Sequence, residues 1–344
     1  MVDKRIRIGY QIPNFSYPDP LDPAITGPDS NIFPTVAAQV REAEAAGFDT
    51  VFVMDHFYQL PGIGAPSEPM LESYTTLLAA TRRLPSSCEF VPGGPAAALV
   101  TGNTYRNPAM LAKTVTTLDV VSGGRAVLAI GAGWFQLEHD QMGFEFGTFT
   151  DRFERLSEAL EIISPMLRGG RPELDGKWYR AHGTLNRPRL RDDLPIMLGG
   201  GGEKKTFGLA ARYADHLNVI CNASELPRKL DALAARCEET GRDRDTLETS
   251  FLSFVMMDTD GDRARSLAHD YLRKSGVDPD TLDDETYARA TDRMFIGTPD
   301  DVAEQLQRRV LDPGIDGIVV NMVANGHVPG QVTEAGTMLR ALLN

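Results

Sequence analysis

Short apolar runs alternate with amphipathic segments of helical period along most of the chain. The clearest case is an apolar run at Ala96–Thr101, a polar loop to Asn107, a helix from Pro108 to the Gly123-Gly124 stop, and a second apolar run at Ala126–Ile130. The apolar positions of that helix are Met110, Leu111, Val115, Leu118 and Val121. Proline suits a first helical turn, because its missing N–H has no helical partner there. Two apolar runs around an amphipathic helix predict a βαβ unit with parallel strands.

Eight such strand-then-helix units follow one another without a long linker. The predicted strands are Arg5–Gln11, Thr50–Met54, Ala96–Thr101, Ala126–Ile130, Leu194–Leu198, His216–Ile220, Leu247–Met257 and Gly317–Met322. The other predicted helices are Thr35–Ala46, Leu71–Thr81, Phe149–Leu167 with Thr150 as its cap, Glu203–Tyr213, Leu226–Glu239, Thr298–Val310 and Gln331–Leu343. This pattern predicts one α/β domain over 1–344, a (β/α)₈ TIM barrel with loop insertions. Two insertions are long, a polar loop at Pro13–Pro34 and a charged, mainly helical segment at Gly261–Met294.

Composition narrows the function classes. The formal net charge is −13 and there is no basic tract, which argues against a nucleic-acid partner. We see no signal peptide and no apolar stretch long enough for a membrane span, so we expect no membrane partner and a cytoplasmic location. The three cysteines, Cys88, Cys221 and Cys237, follow no CxxC pattern and are expected to be reduced thiols outside any metal site.

Polar and small residues follow several predicted strands at the carboxyl ends, where parallel barrels build their sites. Asp55-His56 follows the second strand, and a histidine there can exchange a proton near neutral pH; the alternative is a histidine hydrogen-bonded in a loop. Gly199–Gly202, followed by Glu203 and Lys204, lies between a strand and a helix. That pattern predicts a phosphate site on backbone N–H groups, with a tight turn as the alternative. Gly131–Trp134 leaves room for a flat ligand, unless Trp134 packs in the core.

These segments, taken in order, resemble the bacterial-luciferase-like superfamily, and within it the F420-dependent oxidoreductases. The pieces that carry the resemblance are Asp55-His56-Phe57, Val100–Pro108, Leu118–Arg125, Gly131–Trp134 with Glu138-His139, Phe144–Arg155, Gly199–Thr206 and Ile296–Pro299. The resemblance implies a barrel that binds a flavin or the deazaflavin coenzyme F420 at the carboxyl ends of its strands. It also implies a homodimer.

The resemblance assigns roles to individual residues. Asp55 and His56 would lie beside the deazaflavin ring, with His56 as the catalytic proton donor or stabiliser. The other implied cofactor-binding residues are Thr101, Ala132 and Gly133 along the cofactor, Gly200, Gly201, Gly202, Glu203 and Lys204 at its phosphate, and Ala98 and Leu99 at a non-proline cis peptide against the ring.

The chain departs from the family pattern at two places. Where the sugar-phosphate dehydrogenase branch has an acidic base, this chain has Trp134, so that base and that substrate are not implied. Arg82–Pro95 carries three prolines and a Gly-Gly pair in place of the expected start of the third strand. The sequence therefore predicts an oxidoreductase that transfers hydride between F420 and a small organic substrate. The alternatives are an FMN-dependent monooxygenase of the same superfamily and a flavin-binding protein without turnover.

Overall fold

The computed structural model describes residues 7–17, 31–81 and 96–343. Its strands are β1 Ile8–Ile12, β2 Thr50–Val53, β3 Ala96–Ala98, β4 Thr101–Gly102, β5 Leu128–Gly131, β6 Glu173–Asp175, β7 Arg180–His182, β8 Ile196–Gly200, β9 His216–Val219, β10 Glu248–Met257, β11 Met294–Gly297 and β12 Gly317–Asn321. Its α-helices are α1 Ile32–Ala46, α2 Ser73–Thr81, α3 Pro108–Ser122, α4 Gln136–Met142, α5 Phe149–Leu167, α6 Lys205–Tyr213, α7 Leu226–Thr240, α8 Gly261–Lys274, α9 Asp284–Ala290, α10 Pro299–Leu306 and α11 Gln331–Leu343.

Ten of the described strands form one parallel sheet, in which nine follow one another and β11 pairs with β10 beside them. The two ends of the nine-strand row meet in the same segment. The order is β3-β2-β1-β12-β10-β9-β8-β5-β4, and β3 and β4 are separated by only two residues. Val51 of β2 pairs with Ala96, while Thr101 pairs with Ile130 of β5. An additional bridge joins Ala96 to Ala126. The sheet therefore curls into a nearly closed barrel surrounded by helices, and the predicted TIM-barrel fold is confirmed.

Side chains alternate between the inside and the outside of the barrel. Phe52, Ala97 and Val319 belong to a small buried cluster, whereas their neighbours Val51 and Val53 pack in a much larger one. Successive side chains of a strand point to opposite faces, so the small cluster fills the barrel and the large one lies under the helices. This leaves the carboxyl ends of the strands free to form a site.

Local signals account for several helix ends. The Asn107 side chain accepts hydrogen bonds from two N–H groups in the first turn of α3, which begins at Pro108. Gly47 and Gly123 end α1 and α3 with φ of 79° and 73°, a left-handed conformation that suits glycine. The cap of α5 is Thr148, so the prediction of Thr150 was wrong. Thr148 forms a reciprocal capping box with Asp151, an interaction that favours the earlier start.

Some helix bounds, exposures and strands differ from the sequence prediction, because they depend on contacts between segments distant in sequence. Met110 and Val121 are 64% and 47% exposed, so only the middle of the predicted apolar stripe of α3 is buried. Helix α1 starts at Ile32, inside the predicted loop. The insertion Gly261–Met294 contains two helices, α8 and α9, and ends where an unpredicted strand, β11, pairs with β10.

The hairpin β6–β7 and helix α4 were also missed. The segment Arg82–Pro95 lies outside the described residues. Among the described helices, none combines the length and the apolar character that crossing a membrane requires.

A buried ion pair holds the start of β5 against α3. Asp119 is nearly inaccessible and accepts hydrogen bonds from Arg191 Nη2 at 2.8 Å and from the Ala126 N–H at 3.0 Å. Removing Asp119 leaves the buried Ala126 N–H and the half-buried Arg191 guanidinium without their acceptor. We expect Asp119→Ala to lower the free energy of unfolding by about 3 kcal/mol or more, measured by urea denaturation.

The matched control is Asp175→Ala. Asp175 pairs with Arg180, and both side chains are 75% exposed. Exposed pairs contribute about 0–1 kcal/mol, so this variant should unfold close to the wild type. Equal losses in the two variants would contradict the assignment of Asp119 as a buried structural carboxylate.

Candidate active site

The carboxyl ends of the barrel strands surround one cavity of about 600 Å³. Asp55 and His56 follow β2, Thr101 lies in β4, and Gly131–Trp134 and Gly199–Gly202 lie at the ends of β5 and β8. The rest of the lining is mostly apolar and includes Leu60, Ile63, Phe149, Phe153, Leu252 and Phe254. An apolar cavity with a few converging polar groups is typical of a small-molecule or cofactor site.

His56 is held from one side by a buried carboxylate. Its Nδ1 lies 3.0 Å from Oε2 of Glu138, a residue with no exposed surface. A carboxylate can only accept, so the proton lies on Nδ1 and Nε2 is left as the second functional atom of the ring. Among the described residues, Glu138 is the only hydrogen-bond partner of this imidazole. The rings of Trp134 and Phe135 pack edge-on against the imidazole, with ring centroids 5.6 and 5.8 Å from its own.

Glu138 is itself surrounded by donors. Its Oε1 accepts from the N–H groups of Phe57 and Tyr58 at 2.5 and 3.1 Å, and Oε2 also accepts from the Tyr105 hydroxyl. Burial opposes ionisation of Glu138, but the hydrogen bonds from His56, Tyr105 and Phe57 outweigh it and lower the pKa of the carboxyl group. Burial and this hydrogen bond raise the pKa of Tyr105 and keep its donor proton in place. Glu138 is therefore a charged acceptor that fixes the orientation of His56.

Asp55 does not orient His56, although it directly precedes it in the chain. Its buried carboxylate forms a two-pronged ion pair with Arg106 at 2.6 and 2.9 Å. It also accepts from the Ser73 hydroxyl at 2.6 Å and from the Gly102 N–H at 3.1 Å. Asp55 therefore secures the β4 segment, whereas the His56 imidazole is bound to Glu138.

In the glycine turn after β8, the backbone at Gly201 lies close to the backbone at Ile220. A Cβ on Gly201 would lie 2.1 Å from the Ile220 carbonyl oxygen, so only glycine fits there. Lys229 donates to the Gly201 carbonyl at 2.8 Å and lies 3.0 Å from Glu203. The turn is thus fixed from the side of α7, and its other side lines the cavity.

The structure brings most of the predicted cofactor residues together. Nine line the cavity: Asp55, His56, Leu99, Thr101, Ala132, Gly133, Gly200, Gly201 and Gly202. Ala98 is buried within β3, Glu203 pairs with Arg228 and Lys229, and Lys204 lies outside the cavity at the start of α6. The non-proline cis peptide is Leu99–Val100, one residue after the predicted bond at Ala98–Leu99. Trp134 is 59% exposed, so it does not pack in the core.

Sequence reasoning missed several residues of this cavity. Tyr105 and Arg152 line it, and Arg152 donates to the Gly133 carbonyl at 3.1 Å. Arg293 also lines it, and among the described residues its Nε is buried without a hydrogen-bond partner. No role of its own was predicted for Glu138 from the sequence. Its place four residues after Trp134, in the first turn of a helix next to β5, was the available signal.

His139 serves the fold rather than the cavity. Its Nδ1 lies 2.8 Å from the Phe135 carbonyl, which can only accept, so Nδ1 donates and Nε2 accepts from the Thr104 hydroxyl at 2.7 Å. Burial lowers the pKa of this imidazole. His139 is therefore a neutral histidine with both nitrogens used. Within the described ranges, no three metal-ligating side chains form a cluster.

Comparisons with known proteins agree with this architecture. The chain is 29% identical over 307 residues to the F420-dependent glucose-6-phosphate dehydrogenase of Nakamurella multipartita, covering 84% of each chain. It is 28% identical over 252 residues to the pyrimidine monooxygenase RutA of a Caulobacter species, covering 71% of this chain and 66% of that one. The solved structure of an F420-dependent secondary alcohol dehydrogenase superposes with a TM-score of 0.75 at 18% identity, covering 99% of each chain.

The family model described as luciferase-like monooxygenase matches residues 7–317, nearly the whole described barrel. The relatives named above are oxidoreductases. The chain therefore belongs to the luciferase-like monooxygenase family of enzymes.

Proposed function

We propose that this enzyme transfers hydride between the deazaflavin F420 and a small organic substrate. The observation that carries the proposal is the cavity itself, with His56 held by Glu138 on one wall and the Gly199–Gly202 turn on another. Its volume of about 600 Å³ lies within the range of ligand sites. The similarity to F420-dependent glucose-6-phosphate dehydrogenase over 84% of the chain supports this choice of cofactor.

The residues present fit such a cofactor. Apolar side chains provide walls for a flat ring system, and the glycine turn gives backbone N–H groups that a phosphate can approach. We keep Gly200, Gly201 and Gly202 as phosphate-binding residues, and Asp55, Leu99, Thr101, Ala132 and Gly133 as residues along the cofactor. When bound, the deazaflavin supplies the hydride chemistry, and the protein supplies position and electrostatics.

Within this proposal His56 holds or moves a proton at Nε2. Glu138 keeps Nδ1 protonated, so the remaining nitrogen faces the cavity in a fixed tautomer. The apolar lining limits water around this edge and strengthens the interaction of His56 with any charge that develops on the ligand.

The main alternative is an FMN-dependent monooxygenase, which the similarity to RutA supports. In that case reduced FMN would activate oxygen in the same cavity. We also propose that the substrate is a small molecule rather than a nucleic acid. A homodimer is part of the proposal, supported by the apolar side chains Leu78, Met110 and Val121, which α2 and α3 leave 38%, 64% and 47% exposed.

A direct titration tests the choice of cofactor. The purified protein is titrated with F420 and with FMN, and each is followed through the ligand's own fluorescence. We expect F420 to bind at least about tenfold more tightly, a difference of about 1.4 kcal/mol. Tighter binding of FMN would contradict the proposal and favour the monooxygenase.

The role of His56 is tested with His56→Ala. General acid–base help contributes about a hundred- to ten-thousandfold to a rate, so we expect turnover to fall within that range while F420 affinity falls much less. Substrates are found by screening small organic compounds for bleaching of F420 absorbance by the wild type. Turnover, F420 affinity and melting temperature are measured on the same preparation.

The matched control is His182→Ala, because His182 lies on the exposed hairpin, away from the cavity. It should retain wild-type turnover. If His56→Ala loses melting temperature but keeps near-normal turnover at saturating F420, His56 is a packing residue and has no part in the mechanism.

A further inference from the structure

A second, shallower cavity adjoins the active-site cavity. It is a groove of about 270 Å³ between α5 and α6, lined by Phe153, Glu154, Ser157, Lys204, Lys205, Gly208, Leu209 and Arg212. Phe153 lines both cavities, so the groove continues outward from the mouth of the active site. Lys204 lies two residues after the Gly199–Gly202 turn. A ligand that leaves the cavity past this turn would enter the groove.

The groove is positively charged in a protein whose net charge is −13. Its one acidic residue, Glu154, is paired with Lys177 at 2.8 Å and accepts from Trp178 Nε1 at 3.1 Å. Lys204, Lys205 and Arg212 form no ion pair with a carboxylate in the part of the chain that the structure describes. The Lys205 ammonium instead lies over the rings of Phe149 and Phe153, at 5.2 and 5.5 Å. Three cations without a carboxylate partner among the described residues line this one groove, which points to an anionic ligand.

The spacing of the cations favours a ligand with several charges. Lys204 directly precedes α6 and Arg212 lies near its end, eight residues later, which is about 12 Å along the helix axis. A single phosphate cannot contact both. An extended chain with repeated carboxylates can contact all three cations at once.

Gly208 lies between Lys204 and Arg212, and packing does not explain it. Glycine inside a helix is less favourable than alanine. A Cβ at Gly208 would have no neighbour within 4 Å. The described part of the chain therefore has room for a side chain at this position. Because Gly208 has no side chain, the groove stays open between Lys204 and Arg212.

We propose that the α5–α6 groove binds the oligoglutamate tail of the deazaflavin cofactor. The inference rests on the proposed function, because FMN ends at its phosphate and has no such tail. The groove would therefore let this enzyme distinguish F420 from FMN by charge, at a distance from the reacting ring. The tail carboxylates contact Lys204, Lys205 and Arg212, while the phosphate stays at the glycine turn.

The test compares two forms of the cofactor in binding. One carries several γ-linked glutamates, and the other has the tail removed but keeps the phosphate. Fluorescence titration of wild type should show tighter binding of the tailed form by about tenfold or more at low salt, and added salt should reduce the preference. The triple variant Lys204→Gln/Lys205→Gln/Arg212→Gln should bind both forms equally, with unchanged affinity for the tail-less form.

Two further variants make the result specific. Lys274→Gln/Arg289→Gln/Arg308→Gln removes the same charge from exposed positions away from both cavities and should keep the preference. Gly208→Gln fills the groove without changing charge; its melting temperature should not fall, while its preference for the tailed form should decrease.

The outcomes separate the two proposals. Equal binding of both forms by wild type, or a preference retained in the groove triple variant, overturns the groove proposal and leaves the proposed function standing. If neither form binds while FMN does, the proposed function fails, and the groove proposal fails with it.

Discussion

The candidate active site depends on one buried carboxylate. Glu138 accepts hydrogen bonds from the His56 ring, the Tyr105 hydroxyl and two backbone N–H groups of the loop after β2. Burying a charge is costly unless it is paired and hydrogen-bonded, and here four donors meet it. Because these donors come from separate segments, the charge ties α4, the turn after β4 and the loop after β2 into one wall. The position of His56 follows from that arrangement.

A second buried carboxylate performs a different task nearby. Asp55 is directly before His56 in the chain, but it is bound by Arg106, Ser73 and the Gly102 N–H. It therefore fixes β2, α2 and β4 relative to one another. The two carboxylates have different roles: Asp55 positions the strands, and Glu138 positions the imidazole that lines the cavity. This division leaves Nε2 of His56 as a polar atom on a largely apolar wall.

The barrel could be predicted from the sequence because its signals are local. The helix from Pro108 and the glycine stop of α1 need only neighbouring residues to be recognised, and the strand ends then identify the cavity. The hydrogen-bond partners of the site residues could not be predicted from the sequence. His56 and Glu138 are 82 residues apart, and Asp55 and Arg106 are 51 residues apart. Asp55 is adjacent to His56 in sequence, but its carboxylate binds Arg106, and the partner of His56 comes from α4. Strand β11 was missed for a similar reason, since only its pairing with β10 makes it a strand.

The central claim is that Glu138 fixes the tautomer of His56, and ¹⁵N NMR of the imidazole measures this directly. The protein is labelled at histidine and examined at about pH 8.5, two units above the ordinary histidine pKa; the His56 signals are assigned by their absence from His56→Ala. The account predicts a protonated Nδ1 and an Nε2 that carries the lone pair. In Glu138→Gln, whose amide can donate to the ring, the two nitrogens should exchange roles. A wild-type spectrum with the proton on Nε2 would contradict the account.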